Sequence, residues 1–445
     1  MTPELVEKYA TPVPRYTSYP TAPHFSSNIG PAAFARWLAE DLADDPLSLY
    51  LHVPFCKALC WYCGCNTKAT RRRQPVAKYI SVLLEEMRLV RQSIGRCQPV
   101  AHVHLGGGSP DILAPDEILQ LGAAIGEHFD IKDAAEIAVE IDPRNTNAER
   151  VSAFQRIGVN RVSFGVQDFD PDVQLAINRQ QSYEDTAQAI AQFRDAGIAS
   201  INVDLIFGLP KQSCESIEAT AMQILELRPD RIALFGYAHL PARIKHQRMI
   251  DSATLPGSSA RFAQATRAAN LFLAAGYVRV GLDHFALPHD KLVTQPIRRN
   301  FQGYTTDDCA SLLGLGASSI SRLPSGYAQN EVATGNYIHR IQNGELATAR
   351  GISLSDEDRL RGAVIDDLMC RLTLRRKSLR QRFGSRVETV IEEAEKLAQS
   401  DEDGLFMRTV DGYEITERGR PFIRAICANF DAYLGNTNAT HAAGV

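Results

Sequence analysis

The 445-residue sequence predicts an α/β protein: a partial (β/α)6 barrel with an N-terminal arm before it and a mostly helical domain after it. Three observations predict this. Short apolar runs alternate with helical stretches six times between Leu47 and Gly276, a rhythm that builds a parallel sheet whose right-handed crossovers curl it toward a barrel. The first two runs end in unusual residues, cysteines and then a triple glycine, at the strand ends where such folds keep their chemistry. Beyond roughly Tyr337 the chain turns charged and helical. The expected divisions are residues 1–45, 46–335 and 336–445.

Taken in order, Pro12, Pro14, Pro20 and Pro23 keep Thr11–Phe25 extended, because proline fixes its own φ and restricts its predecessor. This arm carries Arg15-Tyr16-Thr17-Ser18-Tyr19 and leads to a short helix. Strands are expected at Leu47–Val53, Val100–Leu105, Glu136–Ile141, Arg161–Gly165, Ser200–Phe207 and Arg231–Tyr237. Between them, Val76–Arg91 has helical spacing, with Tyr79, Ile80, Leu83, Met87 and Val90 on one broad face. Further helices are expected at Asp116–His128, near Ala148–Ile157, up to Ala196, up to Leu227, and from Ser258 to Gly276. An irregular glycine-rich stretch follows. Glu388–Gln399 reads as a helix, Gly404–Tyr413 as a hairpin turning at Asp411-Gly412, and Glu417–Tyr433 as a final helix.

Hydrophobic residues make up 44% and the formal net charge is -4. That balance gives no sign of a nucleic-acid or acidic-membrane surface. No apolar run approaches the roughly 18 residues of a membrane span, and Met1-Thr2-Pro3-Glu4 does not resemble a signal peptide. Nine cysteines in a chain without an export signal fit a reducing cytoplasm. A monomer is expected.

Four of those cysteines fall within ten residues: Cys56, Cys60, Cys63 and Cys65, spaced C-x3-C-x2-C-x-C. Thiolates this close on one loop can wrap a metal centre. Structural zinc usually takes two separated ligand pairs, and no second pair follows here at zinc spacing. An iron–sulfur cluster is also held by thiolates, and three ligands would leave one iron open. A disulfide is the bland alternative, disfavoured by the compartment.

With that loop, Tyr50-Leu51-His52-Val53-Pro54-Phe55, Pro14-Arg15-Tyr16-Thr17-Ser18-Tyr19-Pro20-Thr21, Gly106-Gly107-Gly108, Gly165-Val166-Gln167-Asp168-Phe169, Asp204 to Pro210, Phe301-Gln302-Gly303-Tyr304 and Tyr327-Ala328-Gln329-Asn330 occur in one order. The chain resembles the oxygen-independent coproporphyrinogen III oxidases (coproporphyrinogen dehydrogenases) of the radical S-adenosylmethionine (SAM) superfamily. The resemblance implies that Cys56, Cys60 and Cys63 ligate a [4Fe-4S] cluster and that SAM occupies the fourth iron. It implies a 5′-deoxyadenosyl radical that initiates decarboxylation of two propionates of coproporphyrinogen III, giving protoporphyrinogen IX in haem biosynthesis. Tyr50, Gly107, Gly108, Ser109, Glu140 and Ile320 would surround this SAM. A second SAM would touch Tyr62, Gln167, Arg179, Asp204 and Ala238. Cys65, Arg15 and Tyr16 would act beside the cluster and over the site. A flavodoxin or ferredoxin would deliver electrons, with Arg71-Arg72-Arg73 as a docking patch or simply a solvated basic run.

The residues alone support part of this. A glycine loop lets backbone approach a ligand, and a strand-end carboxylate such as Glu140 suits ribose hydroxyls. Taken singly, Glu140 and Asp204 also read as helix caps or partners of an arginine. Arginines should gather around a polycarboxylate, the candidates being Arg15, Arg179, Arg243, Arg298 and Arg299. Two other readings fit parts of the sequence: a haem-binding or haem-delivery protein of the related branch, and a structural zinc protein.

Overall fold

A computed structural model describes residues 1–42 and 45–435. The six predicted strands are all present: β1 (Leu47–Val53), β2 (Gln98–Gly107), β3 (Phe129–Ile141), β4 (Arg161–Gln167), β5 (Ser200–Phe207) and β6 (Arg231–Gly236). The chain then adds β7 (Val278–Val280), β8 (His284–Ala286), β9 (Leu312–Leu315), β10 (Ile320–Leu323), β11 (Gly326–Asn330) and β12 (Thr348–Ser353). All twelve form one sheet in the order β12-β11-β10-β9-β1-β2-β3-β4-β5-β6-β8-β7. From β9 to β6 every neighbouring pair is parallel, and antiparallel strands flank this block on both edges. The sheet is therefore a partial barrel with seven parallel strands, one more than the six expected. The extra one, β9, pairs beside β1, placing Tyr50 opposite Gly314.

Side chains alternate across this sheet as the pleat demands. In β1, Leu47, Leu49, Leu51 and Val53 are almost wholly buried. They pack in one large core with residues of α2 (Pro31–Glu40) and α3 (Arg73–Ile94). That core continues over α4 (Pro115–His128), α5 (Ala148–Arg156), α6 (Tyr183–Asp195), α7 (Cys214–Leu227) and α8 (Ser258–Ala274). Each aliphatic side chain so buried contributes roughly 1.5–3 kcal/mol. The other face carries polar residues, among them Tyr50, His104, Glu140, Ser163 and Asp204, toward the barrel interior. Gly95 ends α3 with a left-handed φ of 79°, the usual glycine stop.

Three expectations need correction. The N-terminus is not simply an extended arm: Pro3–Tyr9 forms a helix, α1, capped by Thr2 accepting from the Leu5 N–H, with proline in the first turn where its missing donor costs nothing. The sheet does not stop at residue 335, since β12 pairs with β11. The expected final helix over 417–433 is broken into Arg420–Phe422, Ile423–Cys427 and Ala428–Phe430. Pro421 and Gly419 prevent a continuous start, and a Cβ on Gly419 would lie 2.1 Å from the Leu405 carbonyl oxygen.

A second core joins the arm to the C-terminal helices through Leu5, Val6, Tyr16, Tyr19, Leu360, Leu368 and Phe422. The expected hairpin is present as Phe406–Arg408 and Gly412–Ile415, joined by Thr373–Arg375 into a small sheet. The last ten residues of the expected C-terminal domain lie outside the described residues. Among the described residues no helix is long and apolar enough to cross a membrane.

Candidate active site at the strand ends

β1 runs directly into the cysteine loop. Phe55–Cys56 pairs with Lys68–Ala69 and pinches the loop at its base. Its rim is held from outside: Asn178 Nδ2 donates to the Leu59 carbonyl at 2.8 Å, Gln247 Nε2 to that of Tyr62 at 3.0 Å, and His246 Nε2 bonds that of Cys63 at 2.7 Å. The thiols face a cavity of about 620 Å³ at the strand ends. The Arg179 and Arg144 guanidinia reach the Cys60 sulfur at 3.5 and 3.9 Å. Cys65 donates its backbone N–H to the Cys63 sulfur at 3.4 Å. Hydrogen bonds from Cys65 hold the Cys63 thiol down at about 7 against the opposing effect of burial, favouring the thiolate that metals require.

The triple glycine is explained by what it packs against. The Gly108 N–H donates to Val53 O and the Ser109 N–H to Phe55 O, both at 2.9 Å. A Cβ on Gly108 would lie 2.5 Å from Phe55 O. Gly107 has φ 104° and would strike the His52 ring at 2.3 Å. The glycines therefore zip this loop onto the segment that launches the cysteines. Glu140 stands beside them: His104 Nε2 bonds it at 3.0 Å, and the Gly107 N–H donates to it at 3.0 Å. Burial pushes its pKa up, but His104 and the Gly107 N–H outweigh that and hold it below the ordinary value. Asp204 goes the other way. Burial raises it, although Asn202 Nδ2 and Ser163 Oγ donate to it at 2.8 and 3.0 Å.

Glu140 and Asp142, at and just past the end of β3, both line the cavity, and Asp142 is a lining residue that sequence reasoning missed. Arg144 grips it with two nitrogens at 2.9 and 2.6 Å, and Arg179 reaches it at 3.4 Å. Burial opposes its ionisation, but these two cations lower its pKa. Arg179 also donates to the Gly165 carbonyl. A Cβ on Gly165 would come within 2.9 Å of the Gln167 side-chain amide nitrogen and push that side chain aside. Gln167 itself takes the left-handed φ of 73° that ends β4.

The structure thus brings Arg15, Cys56, Cys60, Tyr62, Cys63, Cys65, Gly107, Gly108, Ser109, Glu140, Gln167, Arg179, Asp204 and Ala238 onto one cavity wall. Tyr16 is not among them. Its ring is buried in the second core and its hydroxyl donates to Asp431 at 3.1 Å. Tyr50 and Ile320 are not among its lining residues; Tyr50 is bonded to His52 Nδ1 at 3.1 Å. Of the candidate arginines, Arg243 lines the cavity and Arg298 does not. Arg299 is clamped on Asp283 at 3.1 and 3.0 Å.

Residues 50–224 match the radical SAM superfamily and residues 354–422 the HemN C-terminal domain. An oxygen-independent coproporphyrinogen III oxidase of Bradyrhizobium diazoefficiens is 48% identical over 437 residues, covering 97% of each chain. One from Pseudomonas aeruginosa is 39% identical, covering 98% of this chain and 96% of its own. The chain belongs to the oxygen-independent coproporphyrinogen III oxidase family. The Escherichia coli coproporphyrinogen III oxidase HemN, described as a radical SAM enzyme, superimposes with a TM-score of 0.89 at 38% identity, over 94% of this chain and 98% of that one. A radical SAM family implies a [4Fe-4S] cluster and SAM, and the residues of this family member fit them. Among the described residues, only His102, Asp307 and Cys309 bring three ligand atoms within 4.8 Å of one another. The three loop thiols are spread more widely, unlike a shell around one tetrahedral zinc at about 2.3 Å. Among the described residues, three buried polar atoms of cavity residues, His104 Nδ1, Arg179 Nε and Arg299 Nε, have no hydrogen-bond partner.

Proposed function

We propose that the chain oxidatively decarboxylates two propionates of coproporphyrinogen III to vinyl groups without oxygen, giving protoporphyrinogen IX in haem biosynthesis. The observation that carries this is the C-x3-C-x2-C loop opening into a large polar cavity, in a chain that matches enzymes of that name along nearly its full length. Cys56, Cys60 and Cys63 would hold a [4Fe-4S] cluster, with one iron left for SAM. When bound, these groups supply a hydrogen-abstracting carbon radical. The chain's own residues bind, orient and exclude water. With the N–H groups of Gly107, Gly108 and Ser109 already committed, the glycine loop suits the ammonium end of SAM rather than its carboxylate. Glu140, held ionised, would accept from the ribose hydroxyls, with Tyr50 and Ile320 behind it. Tyr62, Gln167, Arg179, Asp204 and Ala238 would serve a second SAM on the β4–β6 side of the cavity.

Arg15 crosses the opening and donates to the Gly236 carbonyl at 2.9 Å, so the arm acts as a strap over the site. Tyr16 would fix that strap from behind. Cys65 opens to the cavity and would act beside the cluster. A flavodoxin or ferredoxin would supply electrons, and Arg71 and Arg72 are exposed for docking, whereas Arg73 is committed to Glu117. The chain would act as a monomer in a reducing cytoplasm, in keeping with its nine free thiols.

The test is anaerobic reconstitution with iron, sulfide, SAM and reductant. The expected outcome is release of 5′-deoxyadenosine and conversion of coproporphyrinogen III to protoporphyrinogen IX by chromatography. A full cluster with no decarboxylated product would refute the reading.

A further inference from the structure

The far end of the barrel holds a group of side chains that the proposed reaction does not use. His102 and His104 are alternate residues of β2, so both point to the inward face of the sheet. His104 lines the main cavity. His102 sits about 6.6 Å farther from the cysteine loop, at roughly 3.3 Å per residue. Its register partner on β1 is Ser48. The connection over residues 306–311, which leads into β9, brings Asp307 and Cys309 to the same place. One ligand atom from each of His102, Asp307 and Cys309 lies within 4.8 Å of the others. His102 Nε2 stands 3.8 Å from Asp307 Oδ1. That is too long for a hydrogen bond. It is close to the edge of roughly 3.3–3.8 Å between two ligands of one tetrahedral ion with bonds of about 2.0–2.3 Å. The carboxylate is also held in place, as metal-binding carboxylates are. Ser48 Oγ donates to Asp307 Oδ2, the Cys309 N–H donates to Oδ1 at 3.0 Å, and the Asp307 N–H donates to Thr305 Oγ1 at 3.0 Å. The His102 and Asp307 side chains remain 23% and 12% exposed, so an ion in solution can reach them. Glu136, the register partner of His102 on β3, is committed to Arg161 Nε at 2.8 Å. A fourth ligand position therefore falls to water.

We propose that His102, Asp307 and Cys309 form a metal site separate from the cysteine loop, and that it takes a zinc ion. Imidazole, carboxylate and thiolate together suit zinc, whereas magnesium and calcium prefer oxygen ligands alone. Cys309 binds as the thiolate, so its proton passes to solvent when the ion enters. Asp307 and the Cys309 thiolate then balance the charge of the ion, with His102 neutral. None of the three residues lines the main cavity, which gives the ion a structural part. It ties the connection before β9 to β2 at the end of the barrel away from the cysteine loop. Ser48 adds β1 to the same point, through its hydroxyl on Asp307 and its N–H donating to the Ser311 carbonyl at 3.0 Å. The strand fastened in this way is the one whose Gly314 lies opposite Tyr50.

The experiment incubates the reconstituted holoenzyme with zinc chloride, desalts it, and treats Cys309→Ser and His102→Gln alike. Iron content and melting temperature before zinc is added report whether each variant is intact. The wild type is expected to retain about one zinc per chain beside its full iron. Each variant should retain at least about tenfold less zinc with its iron unchanged. Zinc should raise the melting temperature of the wild type and leave that of the variants unmoved. If Cys309→Ser loses its iron, His102→Gln decides alone. X-ray absorption at the zinc edge of the wild type needs no variant. One sulfur at about 2.3 Å, with nitrogen and oxygen at about 2.0–2.2 Å, is expected. Three or more sulfurs would put the zinc on the cysteine loop and overturn the site. A wild type with full iron that keeps no more zinc than the variants would overturn it as well. Both readouts report zinc alone, so they judge the site whether or not the holoenzyme turns over coproporphyrinogen III.

Discussion

The four loop cysteines differ in what surrounds them, and those differences predict different fates. Cys60 is buried next to two guanidinia, Cys56 bonds Thr67 at 3.2 Å, and Cys63 receives the Cys65 N–H. Replacing any of Cys56, Cys60 or Cys63 with serine should remove most iron. Cys65→Ser should keep it and lose turnover. If iron in Cys65→Ser falls by about a quarter or more, one iron of four has lost a ligand and the three-ligand assignment fails. Gly108→Ala is expected to cost more than about 2 kcal/mol, read as a lower melting temperature, because its methyl would meet the Phe55 backbone. The sequence made the cysteine spacing and the glycines visible, but not why three glycines are needed. That reason is a set of contacts with Val53 and Phe55, far away in the sequence, which no local pattern encodes. Nor did it distinguish Arg15, which reaches the cavity, from Tyr16, its neighbour, which turns into the core under a φ of 48°.

Among the elements, α3 is tied to the added edge of the sheet by one buried carboxylate. Glu86 accepts from the Gly316 N–H at 2.6 Å, Asn330 Nδ2 at 2.6 Å and Tyr337 Oη at 2.8 Å. Burial nonetheless pushes its pKa up to about 7. The folded state therefore holds this proton over a pH range in which the unfolded chain, with a glutamate pKa near 4.5, has lost it. Stability from this group is full below about pH 4.5 and declines as pH rises to 7, by about 3 kcal/mol in total. Denaturant titrations of wild type and Glu86→Gln across that range check it, the variant being expected to show a shallower decline. A steeper one would mean that Glu86 is charged in the fold. The six βα units were legible because apolar period and glycine stops agree along each of them. The strands from β7 to β12 were not, since they are three to six residues long and owe their pairing to β1 and β6.

At the scale of the molecule, the N-terminal arm is bound to the C-terminal domain. Tyr9 and Lys8 bond Asp403 at 2.8 and 2.6 Å, the Ala432 N–H donates to Tyr19 Oη at 3.0 Å, and Ser26 and Gly351 exchange backbone hydrogen bonds at 2.8 and 2.9 Å. Removing residues 1–28 should speed amide exchange in the Asp356–Arg371 and Ile423–Cys427 helices and leave β1 to β6 protected. Hydrogen-exchange mass spectrometry reads this directly. Equal protection with and without the arm would show that the C-terminal helices stand alone.

The bond between Tyr16 and Asp431 spans 415 residues. A ribosome adding about 5–20 residues each second needs roughly 20–80 s to produce the second partner after the first. The earliest segment to be synthesised is thus among the last to find its place. For most of that interval the cysteine loop is already made while the arm still lacks its anchor at Asp431, giving iron and sulfide an open route to the thiols before the finished chain closes over them.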